Sequence, residues 1–288
     1  MRILECHSQG DKRFSAFYAK VEVNGKLDSI ENHYQLSKRI YGKRNPVSWR
    51  EMKGITPSYF IIGSKMLPNE LLSQFYKLLW IKYFDKNPDL LEYVSTFDDF
   101  KDKFKGKSLN CQSDVIRKIV KEGRGKVMDE CRELVDLLKS KDDLLVIDKS
   151  LFESNQDIIG HQVNCQGVMN SGIAKEMKKL PNVYEEYKNK CINKEDILGD
   201  LQVVEYKEGK FAANIFGQYY YGTDKRYTDY DALKKSLNSL KEYAIKKGLS
   251  VALPYNIGCG LAGGDWKVVS TIIKETFNDY PIVLYRLK

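Results

Sequence analysis

The sequence is poor in the residues that announce a metal, a covalent staple or a membrane. Its six cysteines (6, 111, 131, 165, 191 and 259) are scattered, with no Cys-x-x-Cys pair and no paired Cys/His spacing. That pattern speaks against a zinc site and predicts free thiols in a reduced, cytoplasmic setting. No apolar run approaches the roughly 20 residues that cross a bilayer, so no membrane partner is expected. The opening MRILECHSQGDKR turns polar by residue 7, which argues against a signal peptide. There is no internal repeat and no low-complexity tract, and nothing calls for a cofactor.

What remains is the composition of an ordinary globular chain. Its 288 residues are 42% hydrophobic and 30% charged, enough for two domains. The net charge of +8 is unevenly placed: residues 1–141 hold 27 Lys and Arg against 19 Asp and Glu, and residues 142–288 hold 20 of each. The excess is densest from Lys101 to Lys107 and on to Lys126. A polyanion such as DNA or RNA suits that half, and so does a solvated lysine-rich surface. The polar stretch Lys139–Asp143 marks the expected boundary, giving domains 1–141 and 142–288.

In the second half, Leu144–Ile147, Asp157–Val163, Ser250–Leu253 and Ile282–Tyr285 read as short buried strands. Leu201–Tyr206 and Phe211–Phe216 flank a hairpin turn. Helices are expected over Gly172–Leu180, Asp231–Lys247 and Asp265–Phe277. This alternation predicts a three-layer α/β unit with a mixed, mostly parallel sheet. The first half predicts a mainly helical α+β domain. It combines a strand at Phe17–Val23 with helices at Ile30–Ile40, Asn69–Phe84, Pro88–Val94, Ser113–Lys121 and Lys126–Lys139.

Two glycine-containing loops, Asn164–Ala174 and Gly258–Asp265, each follow a strand and open a helix. Glycine lets backbone N–H groups approach a phosphate, and a helix N-terminus favours negative charge. Tight turns also need glycine for positive φ, so a phosphate cradle and a plain turn both stay open on this ground. The segments HQVNCQGVMNSGIAKEM with PNVYEEY, NIFGQ, RYTDYDAL and PYNIGCGLAGGDW follow one another across residues 143–288. Together they resemble the macrodomain family, which binds ADP-ribose. The similarity points to the branch of ADP-ribose 1''-phosphate phosphatases, terminal ADP-ribose glycohydrolases and the antitoxin that reverses DNA ADP-ribosylation.

The resemblance implies roles for particular residues. Asn164 would orient the distal ribose or a water. Gly172, Ile173 and Ala174 would line the diphosphate from the first loop, and Gly258, Cys259, Gly260 and Leu261 would wrap it from the second. Ser150 would bond to adenine where the family carries Asp. Asp265 is the candidate general acid or base, and equally a candidate N-cap for the helix that follows. Cys165 and Cys259 read as packing residues and His161 as a core histidine. Where some relatives carry a lysine, this chain has Asn214-Ile-Phe-Gly-Gln218, so chemistry through a lysine is not expected. Hydrolysis of a phosphate or ribosyl ester by water suits these changes, and so does binding without turnover.

In the first half, Arg13–Phe17, Val21–Lys26 and Ser29-Ile-Glu-Asn-His-Tyr-Gln35 resemble the NADAR family, as do Leu79–Tyr83 and Pro88–Leu91 further on. Asn32 before His33, and Ala16 in place of Asn, depart from its pattern. The resemblance implies an N-glycosidase acting on ribosylated or ADP-ribosylated bases. Glu31 would stabilise the oxocarbenium ion or activate water. An acid in a first helical turn also suits the helix dipole with no catalytic role. Two functions are thus expected: a hydrolase of ADP-ribose derivatives that reverses modification of nucleic-acid bases, or a non-catalytic ADP-ribose reader.

Overall fold

The structure is a computed structural model that describes residues 1–103, 111–140, 144–193 and 196–287. Most of the dense lysine stretch after Lys103, and the core of the expected boundary segment, lie outside the described residues. The chain divides into two compact units, Met1–Lys141 and Asp142–Lys288. Among the described residues no helix is long and apolar enough to cross a membrane.

The first unit begins with β1 (Ile3–Glu5), β2 (Lys20–Val23), β3 (Lys26–Ser29), α1 (Ile30–Ser37) and β4 (Lys38–Arg39). It continues through β5 (Tyr59–Ile62), β6 (Lys65–Pro68), α2 (Leu72–Lys86), α3 (Pro88–Val94) and β7 (Asp99–Lys101). It closes with α4 (Gln112–Glu122), α5 (Arg124–Asp129) and α6 (Arg132–Lys139). The core gathers around α2, which buries Phe75, Tyr76, Leu79, Trp80, Tyr83 and Phe84. β2 and β3 form a hairpin whose turn residues Asn24 and Gly25 both have positive φ, as a tight two-residue turn requires.

Two helices expected from periodicity are cut short by tertiary pairing. α1 stops at Ser37, because Lys38 turns extended and pairs with Phe60 on β5. The helix expected over Lys126–Lys139 breaks between α5 and α6 at Glu130–Cys131. There Cys131 is fully buried, and Glu130 is held by Lys77 at 2.8 Å and Lys118 at 2.5 Å. Likewise the strand expected over Phe17–Val23 is confined to Lys20–Val23.

The second unit runs β8 (Leu145–Ile147), β9 (Ile158–Asn164), α7 (Gly172–Met177), α8 (Val183–Asn193) and β10 (Leu201–Lys207). Then come β11 (Lys210–Gln218), α9 (Tyr230–Lys247), β12 (Val251–Pro254), α10 (Trp266–Thr276) and β13 (Ile282–Tyr285). Its six strands lie in the order β10-β11-β9-β12-β13-β8, and only β10 runs antiparallel to its neighbour. β13 is buried at every position and β9 at all but Gln162, so both faces of the sheet are covered, as in a three-layer α/β fold. Adjacent strands β11, β9 and β12 therefore end side by side. Their loops lead into α9, α7 and α10, and the crevice beyond such strand ends is where open α/β sheets hold ligands.

Candidate functional site

Those three loops enclose a cavity of about 570 Å³. Asn164, Val168, Asn170 and Gly172–Ala174 form one wall, and Pro254–Gly258 with Gly260–Ala262 form the facing one. Gln162 and Gln218 also line it, with Tyr221–Thr223 from the third loop. Of the residues singled out from sequence, Asn164, Gly172, Ile173, Ala174, Gly258, Gly260 and Leu261 are brought together here. Ser150, Cys259 and Asp265 are not part of the lining.

Each of these side chains has a local task. Asn164 is buried at the end of β9 and organises its own loop. Its Oδ1 accepts from Gln166 N at 2.9 Å and Val168 N at 3.3 Å, and its Nδ2 donates to Val168 O at 2.7 Å. The fully buried Tyr187 hydroxyl, from α8, lies 2.7 Å from Asn164 O and 2.9 Å from its Oδ1. Tyr187 belongs to a buried cluster with Val163, Cys165, Met169, Ile197 and Phe216. At the far side of the first loop Ser171 precedes α7 without a side-chain cap, which leaves the first-turn N–H groups to other acceptors.

A chain of neutral groups ties the floor of the cavity to the second loop. Gln162 Nε2 donates to Gln218 Oε1 at 2.8 Å and to Thr228 Oγ1 at 2.9 Å. Gln218 Nε2 donates to Tyr220 O at 2.9 Å, and Thr228 Oγ1 donates to Gly258 O at 2.6 Å. Gln162 Oε1 is enclosed without a partner. It lies so close that a Cβ on Gly258 would meet it at 2.5 Å and one on Gly217 at 2.7 Å. Gly258 also has φ +72°, so both shape and backbone demand glycine there. In the sequence Gln218 stands out only for the absence of a lysine, and Gln162 and Thr228 do not stand out at all. Their residue types carry no signal until the fold joins them.

The ionisable groups singled out from the sequence stand outside the cavity wall. Among the described residues its walls include no Asp, Glu, His, Lys, Arg or Cys. Asp265 is exposed and caps α10, its Oδ1 accepting from Lys267 N at 2.8 Å. Ser150 likewise caps a short turn, accepting from Phe152 N at 3.3 Å. Burial pushes the Cys165 thiol up to about 12 and the Cys259 thiol up to about 11, so neither is a thiolate nucleophile. His161 is fully buried, with Nε2 2.8 Å from Asn214 Oδ1, whose Nδ2 donates to Gln202. Burial lowers its pKa to about 4, which keeps the ring neutral. No cluster of three or more metal-ligating side chains exists among the described residues.

In the first unit, Glu31 occupies the first turn of α1, where the Ser29 hydroxyl accepts from Asn32 N at 3.1 Å. Its backbone N–H donates to Ala16 O at 2.8 Å, and its carboxylate accepts from Gln35 Nε2 at 3.1 Å. Desolvation raises the Glu31 pKa, against the pull of Gln35, Lys53 and Lys38. Burial lowers the Lys38 pKa to about 8, opposed by Glu31. Phe17 and Trp49 meet edge to face at 5.0 Å, with Lys53 Nζ over both rings and Arg50 over Trp49. Trp80, by contrast, is wholly buried in the core. The departures from the motif point elsewhere: Asn32 Nδ2 donates to Asp28 Oδ1 at 2.7 Å, and His33 bonds to Val21 O.

Comparison with known proteins bears on half of the chain. No family model matches it. ADP-ribose glycohydrolase OARD1 of Bos taurus is 31% identical over 136 residues, which are 46% of this chain and 82% of that protein. A solved Bacteroides thetaiotaomicron protein of unknown function is 28% identical with a TM-score of 0.47, over 51% of this chain and 100% of that one. The macrodomain of Mycobacterium tuberculosis DarG is 24% identical with a TM-score of 0.43, over 49% of this chain and 97% of that one.

Proposed function

The chain belongs over about half its length to the macrodomain family, and on that premise we propose that the unit Asp142–Lys288 is that half, binds ADP-ribose and hydrolyses an ADP-ribose derivative. The observation that carries the binding is the cavity itself. Two loops that open helices face each other across it, and its walls are backbone and neutral side chains. A diphosphate is held in such a place by N–H dipoles rather than by lysine or arginine. Asn164, fixed by Tyr187, stands at the end of β9 where a distal ribose would lie. Support for turnover comes from the glycohydrolase named among the relatives.

With no acid or base in the walls, the reaction we propose uses water as nucleophile. Orientation by the loops supplies most of the rate. Asp265, the carboxylate of the second loop, is the proposed proton carrier. The test is calorimetric titration with ADP-ribose, followed by turnover of ADP-ribose 1''-phosphate and of an ADP-ribosyl ester. We expect micromolar-range binding and release of product from at least one substrate. Binding with no turnover of either, or of an ADP-ribosylated base, would leave a reader and remove the hydrolase.

For the first unit we propose cleavage of the glycosidic bond of a ribosylated base, on the NADAR-like pattern around Glu31. What supports it is a carboxyl of raised pKa beside an aromatic pair and two lysines. A raised pKa suits a group that must gain or give a proton during the reaction. The positive excess of residues 1–141 suits a DNA or RNA substrate.

A further inference from the structure

The chain of neutral groups along the floor of the cavity has its direction set by its two ends. Gly258 O and Tyr220 O are backbone carbonyls, which only accept hydrogen bonds. Thr228 Oγ1 donates to the first at 2.6 Å, and Gln218 Nε2 donates to the second at 2.9 Å. With its one proton on Gly258 O, the Thr228 hydroxyl can only accept from Gln162, so Gln162 Nε2 faces it. The other Nε2 proton of Gln162 meets Gln218 Oε1 at 2.8 Å. Turning the Gln162 amide over would set its oxygen against Gln218 Oε1 and leave Thr228 without a donor. The chosen direction is held even though Gln162 Oε1 is then enclosed with no partner, which is itself costly.

What this direction leaves over is one proton. An amide nitrogen carries two, and among the described residues Gln218 Nε2 has a partner for one, Tyr220 O. The side chain is 9% exposed and lines the cavity. Its place is fixed, since Gln218 pairs in register with Asn164 and forms an isolated bridge with Thr228. Asn164 shows the same surplus. Its Oδ1 is met by Gln166 N, Val168 N and the Tyr187 hydroxyl, and one Nδ2 proton goes to Val168 O. Two neighbouring side chains at the end given above to the distal ribose thus each carry a spare N–H that cannot change places with an oxygen.

We propose that Gln218 is a specificity-determining residue whose second Nε2–H donates to an oxygen of the distal ribose, and that Gln162 and Thr228 are the positioning residues that hold this donor in place. A donor already fixed in its bound orientation loses no rotamer freedom when the ligand arrives. A ligand that ends at the diphosphate leaves the same N–H to water. The proposal rests on the ADP-ribose reading of the cavity and adds to it the residue that senses the distal ribose.

The test compares ADP-ribose with ADP, which lacks the distal ribose, by calorimetric titration of the full chain. Gln218→Met removes the donor at similar side-chain length, and the preference for ADP-ribose over ADP should fall about fivefold, the effect of one neutral hydrogen bond. Gln162→Met keeps Gln218 but frees its amide to turn, and the same preference should fall by a similar factor. Because both variants act through one N–H, the double variant should lose no more than either single one. Thr228→Ser, which keeps the hydroxyl, should retain the preference. An equal loss for both ligands would reduce the three side chains to a structural brace and overturn the proposal. So would an unchanged preference in Gln218→Met, or losses that add in the double variant. If the wild-type chain binds ADP-ribose no better than ADP, Gln218 senses no ribose while the cavity reading stands. If it binds neither, the cavity reading falls and this role falls with it.

Discussion

The cavity of Asp142–Lys288 and the surroundings of Glu31 handle charge in opposite ways. The cavity presents glycine loops, amides and hydroxyls, with Asp265 of the second loop turned to a helix cap. At Glu31 desolvation raises the carboxyl's pKa against the pull of Lys53 and Lys38, and Glu31 in turn opposes the lowering of the Lys38 pKa by burial. The first arrangement offers backbone shape, and at its tightest point a Cβ on Gly258 would crowd Gln162 at a positive φ. The second sets a desolvated carboxyl against lysine charge, which suits the proton transfer proposed for it. What the contrast teaches is that the two units need different mutations to disable them.

The largest effect is expected where shape rules. Gly258→Val meets a positive φ and a clash with Gln162, so it should abolish ADP-ribose binding, by roughly a hundredfold or more. Calorimetry measures this, and circular dichroism shows that the fold persists. Normal affinity in this variant would mean that the second loop does not touch the ligand.

Glu31→Gln breaks the other side of the comparison. It should lower base release by about a hundredfold, the usual worth of one acid–base group, and leave ADP-ribose binding by the second unit unchanged. Its effect on stability has a definite sign. A carboxyl whose folded pKa is raised costs stability once pH rises above its unfolded value, because the native state must then hold a desolvated charge. Glutamine carries no such charge. The variant should therefore melt higher near pH 7, and that gain should vanish on acidification below the unfolded pKa. A lower melting temperature at neutral pH would show that Lys53 and Lys38 outweigh the desolvation.

Much of this was legible in the sequence, and the exceptions share one physical origin. The strands of the second unit are apolar runs closed by local turn residues, so they can be read within a few positions. The glycine loops follow from the same local grammar. What could not be read depends on contacts between distant residues. β1 finds its partner β7 almost a hundred positions away, and α1 is ended by strand pairing with Tyr59 and Phe60. Gln162, Gln218 and Thr228 become one hydrogen-bonded chain only when β9 and β11 lie side by side. The segment PNVYEEY was recognisable as a motif, yet the task of Tyr187 under Asn164 needed the fold.

The position that sharpens the contrast most is Asp265. Asp265 stands in the loop sequence as a carboxylate that could act as acid or base, but in the fold it caps α10 and is exposed. Asparagine caps a helix as well as aspartate does, yet it cannot carry a proton. Asp265→Asn therefore separates the two tasks, where Asp265→Ala would remove both. If Asp265 only caps, the asparagine variant keeps its melting temperature and its turnover within about twofold, while the alanine variant loses roughly 1 kcal/mol of stability. If it carries the proton, asparagine lowers turnover by about a hundredfold at unchanged ADP-ribose affinity. The first result would leave the cavity, among the described residues, with no carboxylate, histidine, lysine or cysteine in a catalytic role. Its chemistry would then rest on oriented water alone, and the contrast with Glu31 would be complete.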